Sequence, residues 1–555
     1  YYTYDDNSVT MRGAGTQYIR TGNQSGYPLG VYKLAFKYGD FYANGTVKIN
    51  NIAYIGWADI GNFHTNGQIV EFPITFIDGG HIYVDGGSLT CSYADPAYGF
   101  QIGYAWTAGS CTVSSGTLNA TYLYVGYTDA IHQGTLSVTG GTVNATDVNI
   151  RSTAPTASTF TCTTSPAINV TGNFTNNGTY TKATETVTFT GAASLINGAS
   201  GTSFYNFYNG NGTDAASTTI TSSPASFSPS NTLVRNNALL KNQLPAATFG
   251  TMAVNSGGTY QHDCNGGIIP VATWGATSLL HVTGTAGTAP TIGVASPAQS
   301  PSANIVFGNI TWNSPSQSVK VDFPFETEQL IGTFTMTNTG TGSVGITGAI
   351  IGVDIVQTGG SFDIYGGAGA AQIQLYGYYN MSGGYILNTS NNGYLIFTGS
   401  SGSSNVDLID ANVTDDLLLW LMTDNPVNSK SFTLVNNLTV KDFDLYANRP
   451  TFNLNGKTIT IKRAYSHTAA NGIITANATN STIKMAGTAA QGFDVGTYTG
   501  SIVDNFEAAN AAGVTLNAAL NTRNATISSG TLNGNAIALA VSETWTNNGT
   551  YTHGN

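Results

Sequence analysis

Charge is what this sequence has least of. Only 8% of its 555 residues are Asp, Glu, Lys or Arg, against about 25% in an average soluble protein. With 18 Lys and Arg and a net charge of −11, no basic stripe can be built to displace counterions from a phosphate backbone, so nucleic acid is not an expected partner. The same shortage opposes anionic membrane surfaces. Long apolar runs are also missing. None approaches the roughly 18 residues of a spanning helix, so membrane insertion by helices is not expected. Cysteine occurs four times and never as CxxC, which argues against a metal knuckle or a thioredoxin-like centre. Strong helix formers hardly ever run together; the patch Asp415–Met422 (DDLLLWLM) is the main exception.

Thr, Ser, Asn and 67 Gly take the place of the missing charge, while hydrophobic residues stay at 41%. A chain with that much apolar content can build a core and is not of the disordered class. Thr, Val, Ile, Tyr and Phe favour strands; Gly and Asn favour turns. The composition therefore predicts an all-β protein.

Internal repeats set the architecture. One unit is a glycine turn between two strand segments: Val84-Asp-Gly-Gly87-Ser-Leu89, Val113-Ser-Ser-Gly116-Thr-Leu118 and Val138-Thr-Gly-Gly141-Thr-Val143, returning near Gly258, Gly360, Gly384 and Gly530. The spacing, in the twenties, suits one coil of a β-solenoid. A second unit is FTNNGTYTKATETVTFTG at 174–191, half of which recurs as WTNNGTYTHGN at 545–555. Its closing strand, Val187-Thr-Phe189, recurs as Leu395-Ile-Phe397, Ile483-Lys-Met485 and Val9-Thr10-Met11. Stacked coils need such a unit, because each buries its apolar row only against its neighbours. The predicted fold is a parallel β-solenoid of roughly 22–25 coils; tandem β-sandwich domains are the alternative. Pro/Ser-rich stretches at 222–230 and 286–303 read as breaks in the stack. They predict a solenoid segment at 1–225, an irregular β segment at 226–303, and a second solenoid segment at 304–555 that ends in an incomplete repeat.

The TNNGTYT…TVTFTG and GGTVNAT motifs resemble the degenerate repeats of large secreted bacterial and archaeal surface proteins of the adhesin-like and autotransporter-like β-helix type. The likeness is good at both ends and over 110–220, and poor over 225–350. It implies a β-helix exposed outside the cell and supplies no catalytic residues.

A secreted, extracellular or cell-surface location fits other features. The sequence opens at Tyr1, which reads as a mature form or a fragment whose leader has been removed. Cys91 and Cys111, 20 residues apart, are a candidate disulfide between neighbouring coils, with two buried thiols as the alternative. Among many Asn-x-Ser/Thr sequons, Asn119, Asn144, Asn177, Asn437 and Asn548 are the candidate glycosylation sites. The two halves of the divided repeat suggest a subunit junction, with Trp545, Asn548 and Tyr551 of one copy meeting Val9, Thr10 and Met11 of the next; a slice of a longer repeat protein, in which the repeat continues covalently, is the alternative. Uncapped solenoid ends pair with whatever fits, and a contact that does not close makes a filament.

Chemical motifs are weak by comparison. Asp407, Asp410, Asp415 and Asp416 (VDLIDANVTDD) are the best acidic group and a weak calcium candidate. Asp442 and Asp444 follow them. His262-Asp263-Cys264 is discounted as a catalytic group, because neighbours in a strand point to opposite faces. His64 and His81 are close enough in sequence to meet across coils, without a metal-ligand spacing. The abundant Tyr and Phe suit core and interface better than a carbohydrate face. No cofactor and no catalysis are expected. The function expected is that of a structural subunit of an extracellular filament, appendage or surface layer, with copies of itself as partners and surface glycans as a further one. An adhesin or phage-type receptor-binding spike, and a polysaccharide-active β-helix enzyme, are the alternatives.

Overall fold

A computed structural model describes residues 2–5, 8–12, 16–19, 33–49, 52–57, 60–127, 132–153, 156–292, 307–324, 330, 332–347, 349–352, 354–364, 372–389, 393–399, 401–414, 416–423, 430–446, 450–466, 473–476, 480–495 and 502–554. The chain is all-β, with parallel strands stacked as a β-solenoid of about 19 turns. It divides into two compact units, Tyr1–Ser278 and Leu279–Asn555. Among the described residues the one helical turn is the 3-10 segment Asp410–Asn412.

The glycine-turn repeat marks the coil. Val84 lies opposite Val113, and Val113 opposite Val138, in parallel register. On the next side of the coil Leu89, Leu118 and Val143 stack in the same way. A coil here has three short strands, such as Gly134–Val138 followed by the bent strand Thr142–Ile150. The corner glycines stack as well. Gly141 sits at φ +69°, and a Cβ on it would stand 2.4 Å from the Gly116 carbonyl oxygen. Gly116, at φ +129°, would meet the Gly87 carbonyl oxygen at 2.8 Å. Glycine is required at this corner by both the backbone conformation and the close approach of the next coil.

Alternation along each strand divides core from surface. The inward row Phe41, Phe63, Ile82, Cys111, Leu136, Phe160 and Tyr180 runs through seven coils in unbroken register. The first six of these are fully buried. Longer repeats superimpose on the same logic. Val187 pairs with Phe207, Ile483 with Phe506, and Val9 with Leu34, so the similar strands at 187, 483 and 9 occupy equivalent coil positions.

The proline-rich stretch at 222–230 does not interrupt the first unit. Strand Asn206–Asn209 pairs with Asn231–Val234, and Ala216–Ile220 with Ala238–Asn242, across it. Pro224 and Pro229 lie outside those strands, in turns that need no ladder donor, and Phe227 between them is fully buried. The boundary near 303 falls outside the described residues. The patch rich in helix formers contributes the strand Leu418–Leu421, held between Tyr394–Phe397 and Asp442–Leu445. Neighbours in the stack override its helix propensity.

Candidate functional site

One side-chain array on the first unit is an outward row on the strands Gly39–Ala43, Gly61–His64 and His81–Val84. Tyr42, His64 and Tyr83 are register partners. Their rings stack face to face, with centroids 4.2 and 4.3 Å apart. His81 packs against Tyr83 at 4.0 Å, so His64 and His81 do meet across coils, through a tyrosine. His64 Nδ1 lies 3.0 Å from Asp85 Oδ2. Asp85 Oδ1 also accepts from the Asn66 backbone N–H at 2.6 Å and the Thr65 hydroxyl at 3.1 Å. Burial opposes the Asp85 carboxylate, but these donors and His64 outweigh it and hold its pKa below the usual range. Burial, and then His64, push His81 down to about 4. His81 is therefore neutral at pH 7, bridging Ser110 and Thr112 with its two ring nitrogens. Because the rings stack on one another, their faces are unavailable to a sugar. The row holds coils together and does not form a carbohydrate platform.

A second array carries three sequons. Asn119, Asn144 and Asn169 are register partners on successive coils. Asn169 Nδ2 donates to Asn144 Oδ1 at 2.8 Å, Asn144 Nδ2 to Asn119 Oδ1 at 2.8 Å, and Asn119 Nδ2 to Thr90 Oγ1 at 3.3 Å. The nitrogens that a glycan would occupy are the ladder's donors. Asn177 is half-buried, with its Oδ1 accepting from the Ala199 N–H at 2.9 Å. Asn437 and Asn548 are exposed.

The acidic residues are not gathered. Asp407 accepts from Asn436 Nδ2 at 2.8 Å. Asp410 accepts from the Thr439 backbone N–H and hydroxyl. Asp416 pairs with Lys441 at 3.1 Å, and Asp442 with Arg463. Asp415 lies outside the described residues, and among those described no group of three His, Cys, Asp or Glu could hold a metal ion. Each of these carboxylates answers a donor on a neighbouring coil instead of converging on a shared point.

All four cysteines are buried free thiols. The expected Cys91–Cys111 bridge is absent, because 20 residues is not the local coil length. Cys111 stacks on Ile82, 29 residues back, and Cys91 on Ala120. Burial raises the Cys91 pKa to about 12. At 262–264, Asp263 does point away, to Lys241 at 2.8 Å. His262 and Cys264 share the interior, with Sγ 3.4 Å from Nε2. His262 closes the strand Thr259–His262, and Cys264 lies in the bend just past it. Their proximity makes no nucleophile. His262 has no exposed surface, burial lowers its pKa, and burial raises the Cys264 pKa to about 12.

At the proposed junction the two sides differ. Trp545 packs edge to face on Tyr551 at 5.3 Å. This repeats the Phe174–Tyr180 pair, also edge to face, at 5.6 Å. In the internal copy Phe204 of the next coil covers both rings at 5.2 Å each. Trp545 is 40% exposed. The strand Ser8–Arg12 behaves otherwise. One edge pairs in parallel with Lys33–Lys37, and Tyr2–Asp5 folds back antiparallel on the strand, placing Tyr4 opposite Val9, Thr3 opposite Thr10 and Tyr2 opposite Met11. Val9, Thr10 and Met11 thus do not present the open edge expected of them.

One further feature was not anticipated. A groove of about 490 Å³ in the second unit is lined by Tyr376–Asn380, Ser401–Asn405, Asp407 and Lys430.

Comparison with protein-family models, curated proteins and solved structures gives no match. Fold and site define the class: the chain is a parallel β-solenoid whose side-chain arrays tie coil to coil.

Proposed function

We propose that this protein is a structural β-solenoid subunit of an extracellular assembly, a filament, appendage or surface layer, in which copies join end to end. The observation that carries this reading is the repeated aromatic pair. Inside the stack, Phe174 and Tyr180 are roofed by Phe204; Trp545 and Tyr551 offer the same pair with Trp545 exposed. By that equivalence, Leu539 and Val541 correspond to Ile168 and Val170, on which Val187 and Phe189 stack. A strand of the Val-Thr-Phe type, such as Val9-Thr10-Met11, is the complement the repeat calls for. Since Tyr2–Asp5 now pairs with Val9–Met11, joining would exchange that hairpin for the partner's edge, a form of strand addition. A heterologous contact of this kind propagates without closing. The dense hydrogen-bonded ladders and scarcity of Lys and Arg suit exposure to proteases outside the cell.

Electron microscopy of the full chain tests the reading. Filaments or end-to-end oligomers that shorten on Trp545→Ala and lengthen when residues 1–5 are deleted are expected. Single particles at every concentration, with and without residues 1–5, would refute it.

A further inference from the structure

We propose that the groove beside Gly402–Asn405 is a binding site for a compact neutral saccharide of one or two rings. Strand Gly402–Asp407 is paired from Gly402 to Val406 with Lys430–Leu434 on one side. On the other side only Val406 and Asp407 have ladder partners, Tyr379 and Asn380. Gly402–Asn405 therefore present an unpaired strand edge within the stack, among the described residues, and the groove lies along it. Backbone N–H and C=O groups on such an edge need partners. A volume of about 490 Å³ lies in the range of small-molecule sites.

The short free edge and the walls beside it decide what the groove takes. The Lys430 ammonium, 3% exposed, donates to the Tyr376 and Thr398 carbonyls at 2.5 Å each. Past Asn405 the ladder resumes at Tyr379 and Val406. An extended peptide adding as a strand would find only the four residues Gly402–Asn405 free before the Tyr379–Val406 pair stops it. The wall chemistry selects further. Ser401, Ser403 and Asn405 are exposed, and Asp407 stands beside them. Tyr376 and Tyr378 are each 39% exposed. Hydroxyl, carboxamide and backbone groups that both donate and accept match the hydroxyls of a sugar, and ring surface matches its C–H faces. The Asp407 carboxylate disfavours an anionic ligand, while the Lys430 ammonium faces carbonyl oxygens. Gly402, at φ +88° with no atom within 4 Å of a built Cβ, leaves the edge bare.

The test uses the full chain, isothermal titration and hydrogen–deuterium exchange. The probes are glucose, galactose, N-acetylglucosamine and their 1,4-linked disaccharides, with sialic acid, glucuronic acid and a set of extended pentapeptides alongside. At least one neutral probe is expected to bind with a Kd of about 1 mM or tighter and to slow exchange in 402–405. Tyr378→Ala and Asn405→Ala, both at exposed or rim positions, are each expected to weaken it at least about fivefold, while Thr159→Ala leaves it unchanged. No neutral probe bound at about 10 mM, binding indifferent to both variants, or binding confined to the acidic sugars or the peptides overturns the assignment. None of these results bears on filament formation, which is read by microscopy.

Discussion

Phe204→Ala measures how far the coils act as a one-dimensional stack. Phe204 has no exposed surface and sits among Phe174, Tyr180, Phe189, Phe207 and Phe227 at centroid distances of 5.2 to 6.3 Å. Burying a phenylalanine removes some 150–250 Å² from water, worth about 4–6 kcal/mol at ~25 cal/mol per Å². Residual burial in the unfolded chain lowers that figure by roughly 10–40%. Phe→Ala substitutions in packed cores cost about 3–5 kcal/mol, so a loss of about 4 kcal/mol is expected. Since coils touch only their neighbours, the loss is local. Hydrogen–deuterium exchange is expected to show protection falling in 174–189 and 204–234, with 450–461 and 480–493 unaffected. Urea unfolding of the first unit shifts in parallel. Phe204→Leu, which keeps most of the volume, is expected to lose no more than about 1.5 kcal/mol. A loss from Phe204→Ala below about 1 kcal/mol, or protection lost equally in the second unit, would refute the stacking account.

Other predictions follow from the corners, the histidines and the thiols. Gly141→Ala combines a left-handed φ with a Cβ 2.4 Å from a carbonyl oxygen and is expected to cost at least about 2 kcal/mol by denaturation. Gly67→Ala, at φ +75° but in open space, costs only about 1 kcal/mol; equal effects would show that coil contact at the corner is unimportant. His81 has a folded pKa of about 4 against an ordinary value of 6.5, so its contribution is whole above about pH 6.5 and is lost as pH falls toward 4, where the unfolded chain binds the proton first. Discounted for partial exposure, that is about 1–2 kcal/mol. His81→Gln should flatten urea midpoints between pH 7 and 4.5, and an unchanged slope refutes the assignment. A thiol reagent at pH 8 is expected to find no reactive cysteine in the native chain and four in denaturant, because burial holds Cys91, Cys162 and Cys264 up at about 12. A Cys91–Cys111 disulfide found by non-reducing peptide mapping would overturn this.

The sequence alone determined the class of fold, because a solenoid writes its period into the chain. Val84, Val113 and Val138 are recognisable as equivalents, and the structure stacks them as such. Period-two alternation also told that His262 and Asp263 stand on opposite sides, and they do: His262 is buried and Asp263 pairs with Lys241. What the tertiary structure alone decided is everything that depends on the length of a particular coil. A 29-residue coil sets Cys111 over Ile82 instead of Cys91. Coils at 119, 144 and 169 bring three sequon asparagines into a hydrogen-bonded ladder. A short strand at Tyr379–Met381 beneath a longer one at Gly402–Asp407 opens a groove. Local pattern fixes the side on which a residue stands, but its neighbour on that side is fixed by every loop between one coil and the next, and loop length carries no periodic signal.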